Sequence, residues 1–175
     1  MERKMRRSKQ ALTREECEEV LERGTAGVLA LSGGVDEPPY AVPMSYGYSD
    51  GVLTFHGARV GHKHDLIAAD PRASFCVIDS DVIVPEEFTS RFRSVICFGT
   101  IEVVDDPDEQ DADLMAMGEK YSPGLEDACR KEIEQLRGKT RVLRLHVERM
   151  TGKESMPLAR QRERNANVVI EDPSA

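Results

Sequence analysis

The segment Tyr40–Tyr48 alternates apolar and polar residues, meets Ser49-Asp50-Gly51, and resumes as a second alternating run at Val52–His56. Asp-Gly between two such runs specifies a tight hairpin turn, because both positions tolerate positive φ. Strands joined this tightly run antiparallel, since a parallel pair needs a crossover of about a dozen residues or more. The connection argues against a parallel nucleotide-binding sheet. No G-x-G-x-x-G follows a first strand, and no Walker loop occurs.

The other elements arrange themselves around that hairpin. Thr13 with Glu16 has the capping-box pattern, and Cys17, Val20 and Leu21 recur at helical spacing, predicting a helix over Thr13–Arg23 that ends at Gly24. Thr25–Ser32 reads as a strand closed by Gly33-Gly34. A helix over Gly61–Ala69 is stopped by Asp70-Pro71, and Ala73–Asp79 is a further strand. The segment through Pro85 to Thr89 reads as a loop. Arg93–Val104 is a long strand with Val95, Cys97, Gly99, Ile101 and Val103 on one face, and its internal Gly99 signals a bulge or a close approach. Asp105–Leu136 is helical with a break near Ser122-Pro123-Gly124, and Thr140–Arg149 is a sixth strand. The expectation is a mainly β, α+β fold: a closed antiparallel barrel with added helices. Residues 1–12 form a basic N-terminal arm, 13–155 one domain, and 156–175 a polar C-terminal tail.

A formal net charge of −8 argues against binding nucleic acid through bulk charge, and aromatic residues at 5% without tryptophan supply no stacking platform for it. The basic start Met1–Lys9 is a local exception, a solvated tail or an anion-binding arm. No apolar run approaches the roughly 18 residues of a membrane span, and no signal-peptide core stands at the N-terminus, so a cytoplasmic location is expected. Cys17, Cys76, Cys97 and Cys129 are scattered without a C-x-x-C pair and read as reduced, largely buried thiols.

The chemistry concentrates between Leu53 and Ile67, where a strand breaks at Gly57, crosses a loop with Arg59 and Gly61, and enters a helix headed by His62 and Lys63. Backbone N–H groups and cations at such a turn suit a phosphate. Lys63 opposes the helix dipole, by about 0.3–1 kcal/mol, unless an anion binds there; a merely solvated lysine is the alternative. His56, His62 and His64 lack the spacing of a metal site, because residues two apart on a helix stand about 200° around the axis. His56 is either a packed or surface histidine or a hydrogen-bond donor and proton carrier near neutral pH. Arg93 reads equally as an exposed charge beginning a strand or as a contact to an acidic ligand or partner subunit. No nucleophile elbow is present, and the acidic run Asp105–Asp113 reads as a helix start.

Four pieces in this order and spacing, Val42-Pro-Met-Ser-Tyr-Gly-Tyr48, Phe55-His-Gly-Ala-Arg-Val-Gly-His-Lys63, Phe92-Arg-Ser-Val-Ile-Cys-Phe-Gly99 and Thr151-Gly-Lys153, resemble the pyridoxamine 5′-phosphate oxidase-like flavoproteins, and within them the NimA-like 5-nitroimidazole-resistance group. The resemblance covers roughly residues 8–155. It implies a six-stranded antiparallel split β-barrel that forms a homodimer, with FMN in a groove between subunits. Carried over by position, Val42, Pro43, Met44 and Ser45 lie along the flavin, followed by Phe55, His56 and Gly57. His62 and Lys63 match the basic pair that holds the phosphate, Arg93 and Ser94 approach from the second subunit, and His56 acts near the substrate. The first member of the basic pair is commonly Arg or Lys; a largely neutral imidazole at His62 attracts phosphate less strongly. The implied activity is an FMN-dependent oxidoreductase reducing a small aromatic or nitro acceptor, with a nicotinamide or another reductant as the electron donor. Related barrels bind deazaflavin or heme, so the alternative is a flavin- or heme-binding module for storage or sensing without turnover.

Overall fold

The computed structural model describes residues 7–35 and 37–170; most of the basic stretch Met1–Lys9 and the last residues of the expected tail lie outside the described residues. Helix α1 (Arg14–Arg23) begins on the predicted capping box: Thr13 Oγ1 accepts from Glu16 N at 3.3 Å, and Glu16 Oε2 accepts from Thr13 N at 2.7 Å. Its buried face is Cys17, Val20 and Leu21, and Gly24 ends it.

Seven strands follow: β1 (Ala26–Leu31), β2 (Tyr40–Ser45), β3 (Gly47–Ser49), β4 (Val52–Ala58), β5 (Arg72–Val84), β6 (Thr89–Val104) and β7 (Thr140–Glu154). They form one antiparallel sheet in the order β2-β1-β5-β6-β7-β4-β3. The expected hairpin is present as β3–β4, with both turn residues left-handed, Asp50 at φ 48° and Gly51 at φ 79°. Six strands become seven because the run Tyr40–Tyr48 breaks at Tyr46. Its first half pairs with β1 and its second with β4, at opposite edges of the sheet. No ladder joins β2 to β3, so the hydrogen-bonded sheet is open and not a closed barrel, although its two edges are consecutive in the chain.

Tyr46 is the pivot of this arrangement and is fully buried. Outside both ladders, its N–H donates to Tyr121 Oη at 3.0 Å, and its C=O lies 2.8 Å from the same hydroxyl. Its own hydroxyl donates to Leu21 O at 2.8 Å. Buried backbone groups need such partners, because an unmade hydrogen bond there costs about 1–3 kcal/mol. The ring packs edge-on to Phe75, which also meets Phe55; with Leu29, Leu53, Val95 and Leu145 these side chains fill the core.

Several boundaries differ from the sequence expectation. Strands β5 and β6 continue past Asp79 and start before Arg93, so the expected loop through Pro85 is only the tip of a long hairpin. Cross-strand pairing across that hairpin carries the strands through residues whose local signals are weak. Gly99 does mark a bulge: the β6–β7 register shifts at Phe98/Gly99, and a Cβ at Gly99 would stand 1.8 Å from His146 O. The helices are α2 (His62–Ala69), α3 (Pro107–Tyr121), α4 (Glu126–Leu136) and α5 (Met156–Ile170).

The stretch after Met156, expected as a polar irregular tail, is helix α5. Its polar side chains conceal an internal partner. Glu154 is fully buried and its Oε2 accepts from Arg93 Nε at 3.1 Å and Nη2 at 2.9 Å. Arg162 of α5 places Nε 2.9 Å from the other carboxylate oxygen, an ion contact without hydrogen-bond alignment, and also pairs with Glu16. Among the described residues no helix is long and apolar enough to cross a membrane.

Candidate functional site

Strand β4 alternates inward Leu53 and Phe55 with outward Thr54 and His56, then narrows at Gly57. After Ala58 the loop Arg59–Gly61 turns the chain into α2. Gly61 sits at φ 131°, a conformation that side chains disfavour, and its C=O accepts from His64 N at 2.8 Å. Leu66 and Ile67 bury the inner face of α2 in the core. His64 Nε2 lies 2.7 Å from Ala58 O, so Nε2 carries the proton and donates it, pinning the head of the helix to the end of the strand.

Lys63, half-buried, extends from this helix head over Gly57 toward β2. Its Nζ is 3.1 Å from where a Cβ on Gly57 would lie and 3.8 Å from Met44 Sδ. Among the described residues no carboxylate pairs with it. Burial lowers its pKa below the ordinary lysine value, because a partly desolvated ammonium without a counter-charge is disfavoured. A bound anion would offset that cost.

Val42 and Met44 turn toward the core, whereas Pro43 and Ser45 face outward. Since β2 is an edge strand, alternate backbone groups along it have no ladder partner and are free to meet a ligand. The Phe55 side chain lies wholly in the core, so only its backbone can approach a site. His56 stands on the opposite face, where desolvation first and the Lys63 ammonium second lower its pKa. Both effects favour the neutral imidazole over the imidazolium.

His62 does not point the way Lys63 does. Its ring meets Tyr40 edge-on at 5.0 Å, and its Nε2 is 3.5 Å from Glu37 Oε2. Arg93 and Ser94 lie near the start of β6, whereas His56 is level, through Val142, with Val104 at its end. Within one chain they do not join the Lys63 cluster. Arg93 instead lines a separate cavity with Glu19, Arg23 and Arg162, and sits 3.6 Å from Asp79.

The sequence reading passed over the walls of a cavity of about 510 Å³ between the sheet and the α3–α4 pair, where Ser45 and His56 meet Met117, Tyr121, Cys129 and Ile133. A signal was present: Leu125, Cys129, Glu132 and Leu136 recur at helical spacing, with Ala128 and Ile133 beside them. The same spacing serves a core-facing helix equally well, so it did not single out a cavity.

The fold matches solved structures. A protein named for 5-nitroimidazole antibiotic resistance from Bacteroides thetaiotaomicron is 20% identical, with a TM-score of 0.68 over 82% of this chain and 86% of its own. An FAD-binding protein from Mesorhizobium loti is 26% identical, with a TM-score of 0.58 over 83% of this chain and 97% of its own. An FAD and heme binding protein from Mycobacterium smegmatis is 26% identical, with a TM-score of 0.68 over 85% of this chain and 74% of its own. No curated protein matches the sequence. The sequence model described as pyridoxamine 5′-phosphate oxidase matches residues 13–154, from the capping threonine of α1 to the buried Glu154. By that match, carried on the fold just described, the chain belongs to the pyridoxamine 5′-phosphate oxidase family.

Proposed function

We propose that this protein is a homodimeric flavin-dependent oxidoreductase that binds FMN and reduces a small aromatic or nitro acceptor. The observation that carries the reading is Lys63, a half-buried ammonium without a carboxylate partner among the described residues, reaching over Gly57 beside an edge strand. Lys63 would hold the phosphate, with His62 contributing only when it leaves Glu37. Backbone groups of Val42–Ser45, Phe55 and Gly57 would line the ring and its chain. A bound flavin supplies two-electron redox chemistry between a reductant, such as a nicotinamide, and the acceptor. His56, facing the adjoining cavity, would orient the acceptor and hold a proton at its ring nitrogen.

Arg93 and Ser94 enter this reading only from a second subunit, because one chain separates them from His56 along the length of β6. Counting β2 and β3 as one strand bent at Tyr46 gives six strands, which supports a split-barrel reading of the sheet. Four unpaired cysteines suit a reducing cytosol.

The test is titration of the purified protein with FMN and FAD, followed by absorbance and thermal unfolding. Flavin absorbance that stays with the protein and a raised melting temperature are expected; absence of both refutes the reading. The two neighbours named for FAD, one also for heme, favour a second reading as a cofactor-binding module without turnover. Reduction of the bound flavin by NADH or NADPH and reoxidation by a nitro compound decide for the enzyme. Binding without transfer to any acceptor decides for the module.

A further inference from the structure

Helix α4 is amphipathic, with Leu125, Ala128, Cys129, Ile133 and Leu136 along one side, yet none of its residues is fully buried. Helix α3, on which it packs, buries only Met117. An apolar helix face normally closes onto a core; here it stands off the sheet and leaves the 510 Å³ cavity between. That volume lies within the range of small-molecule pockets, about 300–1,000 Å³. The polar residues are unevenly placed. Ser45 on β2, His56 on β4 and Thr140 at the start of β7 line the sheet side, and the α3–α4 side contributes Tyr121, Ser122 after α3, and a single carboxylate, Glu132. Among the described residues no lysine or arginine lines the cavity. A phosphate or carboxylate entering it would face apolar walls and the Glu132 carboxylate, with the Lys63 ammonium near its His56 end alone, which is unfavourable.

We infer that the α3–α4 cavity binds a neutral, largely apolar molecule of ring size, its polar end against His56 and Ser45, and that it rejects phosphorylated pyridines of the kind for which the family is named. As the acceptor pocket of an oxidoreductase this rests on the flavin reading above; as a binding site it does not. Lys63 lies across Gly57 from the same strand, so the anion-holding and neutral-holding parts of the groove adjoin at His56. The cation stands at one end and the apolar walls at the other.

The neutral fluorophore N-phenyl-1-naphthylamine, added to the full-length protein with and without FMN, tests the inference. Saturable binding is expected, displaced by an uncharged aromatic nitro compound and about thirtyfold or more less effectively by its carboxylated counterpart or by pyridoxamine 5′-phosphate. Ala128→Trp places bulk into the cavity from an exposed helix position. It should weaken fluorophore binding about tenfold or more while the unfolding midpoint and the sedimentation of the protein stay unchanged. Equal competition by the charged ligands overturns the inference, as does unchanged binding in Ala128→Trp. A change of oligomeric state in that variant also overturns it, because the face would then be covered by a second copy. Fluorophore binding with the expected selectivity but without any flavin binding supports this site and sinks the flavin reading, so the two fail separately.

Discussion

Replacing Lys63 with methionine should move ligand affinity and protein stability in opposite directions. The methionine side chain keeps the apolar stem and removes the charge. In the ligand-free protein the ammonium is half-buried, has Met44 Sδ 3.8 Å away, and pairs with no carboxylate among the described residues. Burial lowers its pKa, so the charged form is less favoured folded than unfolded. That penalty is present in full at neutral pH and is relieved as pH rises toward the ordinary lysine value, so Lys63 destabilises the empty protein where it works. Lys63→Met should therefore leave the empty protein equally stable or more stable by a few tenths of a kcal/mol to about 1 kcal/mol. Flavin phosphate binding should weaken at the same time. A hydrogen bond to a charged group contributes about 1.5–3 kcal/mol, or roughly 10- to 150-fold in Kd. Flavin fluorescence titration gives the first quantity and urea unfolding of the flavin-free protein the second. A destabilised empty protein with unchanged flavin affinity would show that Lys63 serves the fold, and would refute the reasoning.

Three further outcomes follow from the same geometry. Tyr121→Phe removes the hydroxyl that accepts from Tyr46 N and lies 2.6 Å from Thr25 O; it should cost about 1–3 kcal/mol in denaturant unfolding, and less than about 0.5 kcal/mol would mean that water replaces it. Gly99→Ala drives a methyl group to 1.8 Å from His146 O, a backbone atom that cannot yield cheaply; loss of about 3 kcal/mol or more, or failure to fold, is expected, and a near-neutral effect would show that the bulge at Phe98 absorbs the strain. His56 has a folded pKa below its unfolded one, so the unfolded chain takes up the proton first as pH falls. Its contribution to stability is intact above about pH 6.5 and is lost on acidification through the unfolded value toward the lower folded one. Comparing wild type with His56→Gln across that window by thermal unfolding should show a steeper acid-side loss in the wild type, and parallel curves would remove the effect.

Much of the local structure is readable in short stretches of chain. The Thr13–Glu16 capping box, the Asp50-Gly51 turn and the Asp70-Pro71 stop each depend on neighbours a few residues away. Lys63 was legible as an odd cation at a helix head for the same reason. The misreadings involve partners far along the chain. Helix α5 is held by Arg162 facing Glu154 and Glu16, and the long β5–β6 hairpin survives through cross-strand pairing. Tyr46 breaks one strand into two because Leu21 and Tyr121 wait for its polar groups.

The placement of the site divides along the same line. Residue types and spacing within Phe55–Lys63 were enough to mark a candidate anion-binding turn, since strand, loop and helix head are contiguous. That His62 leans on Tyr40 and Glu37, that Arg93 is committed to Glu154, and that α3 and α4 stand off the sheet to leave a cavity over His56 came only with the assembled molecule. Charge pairing and cavity formation depend on what packing brings within a few ångströms, and spacing along a chain carries no record of that distance.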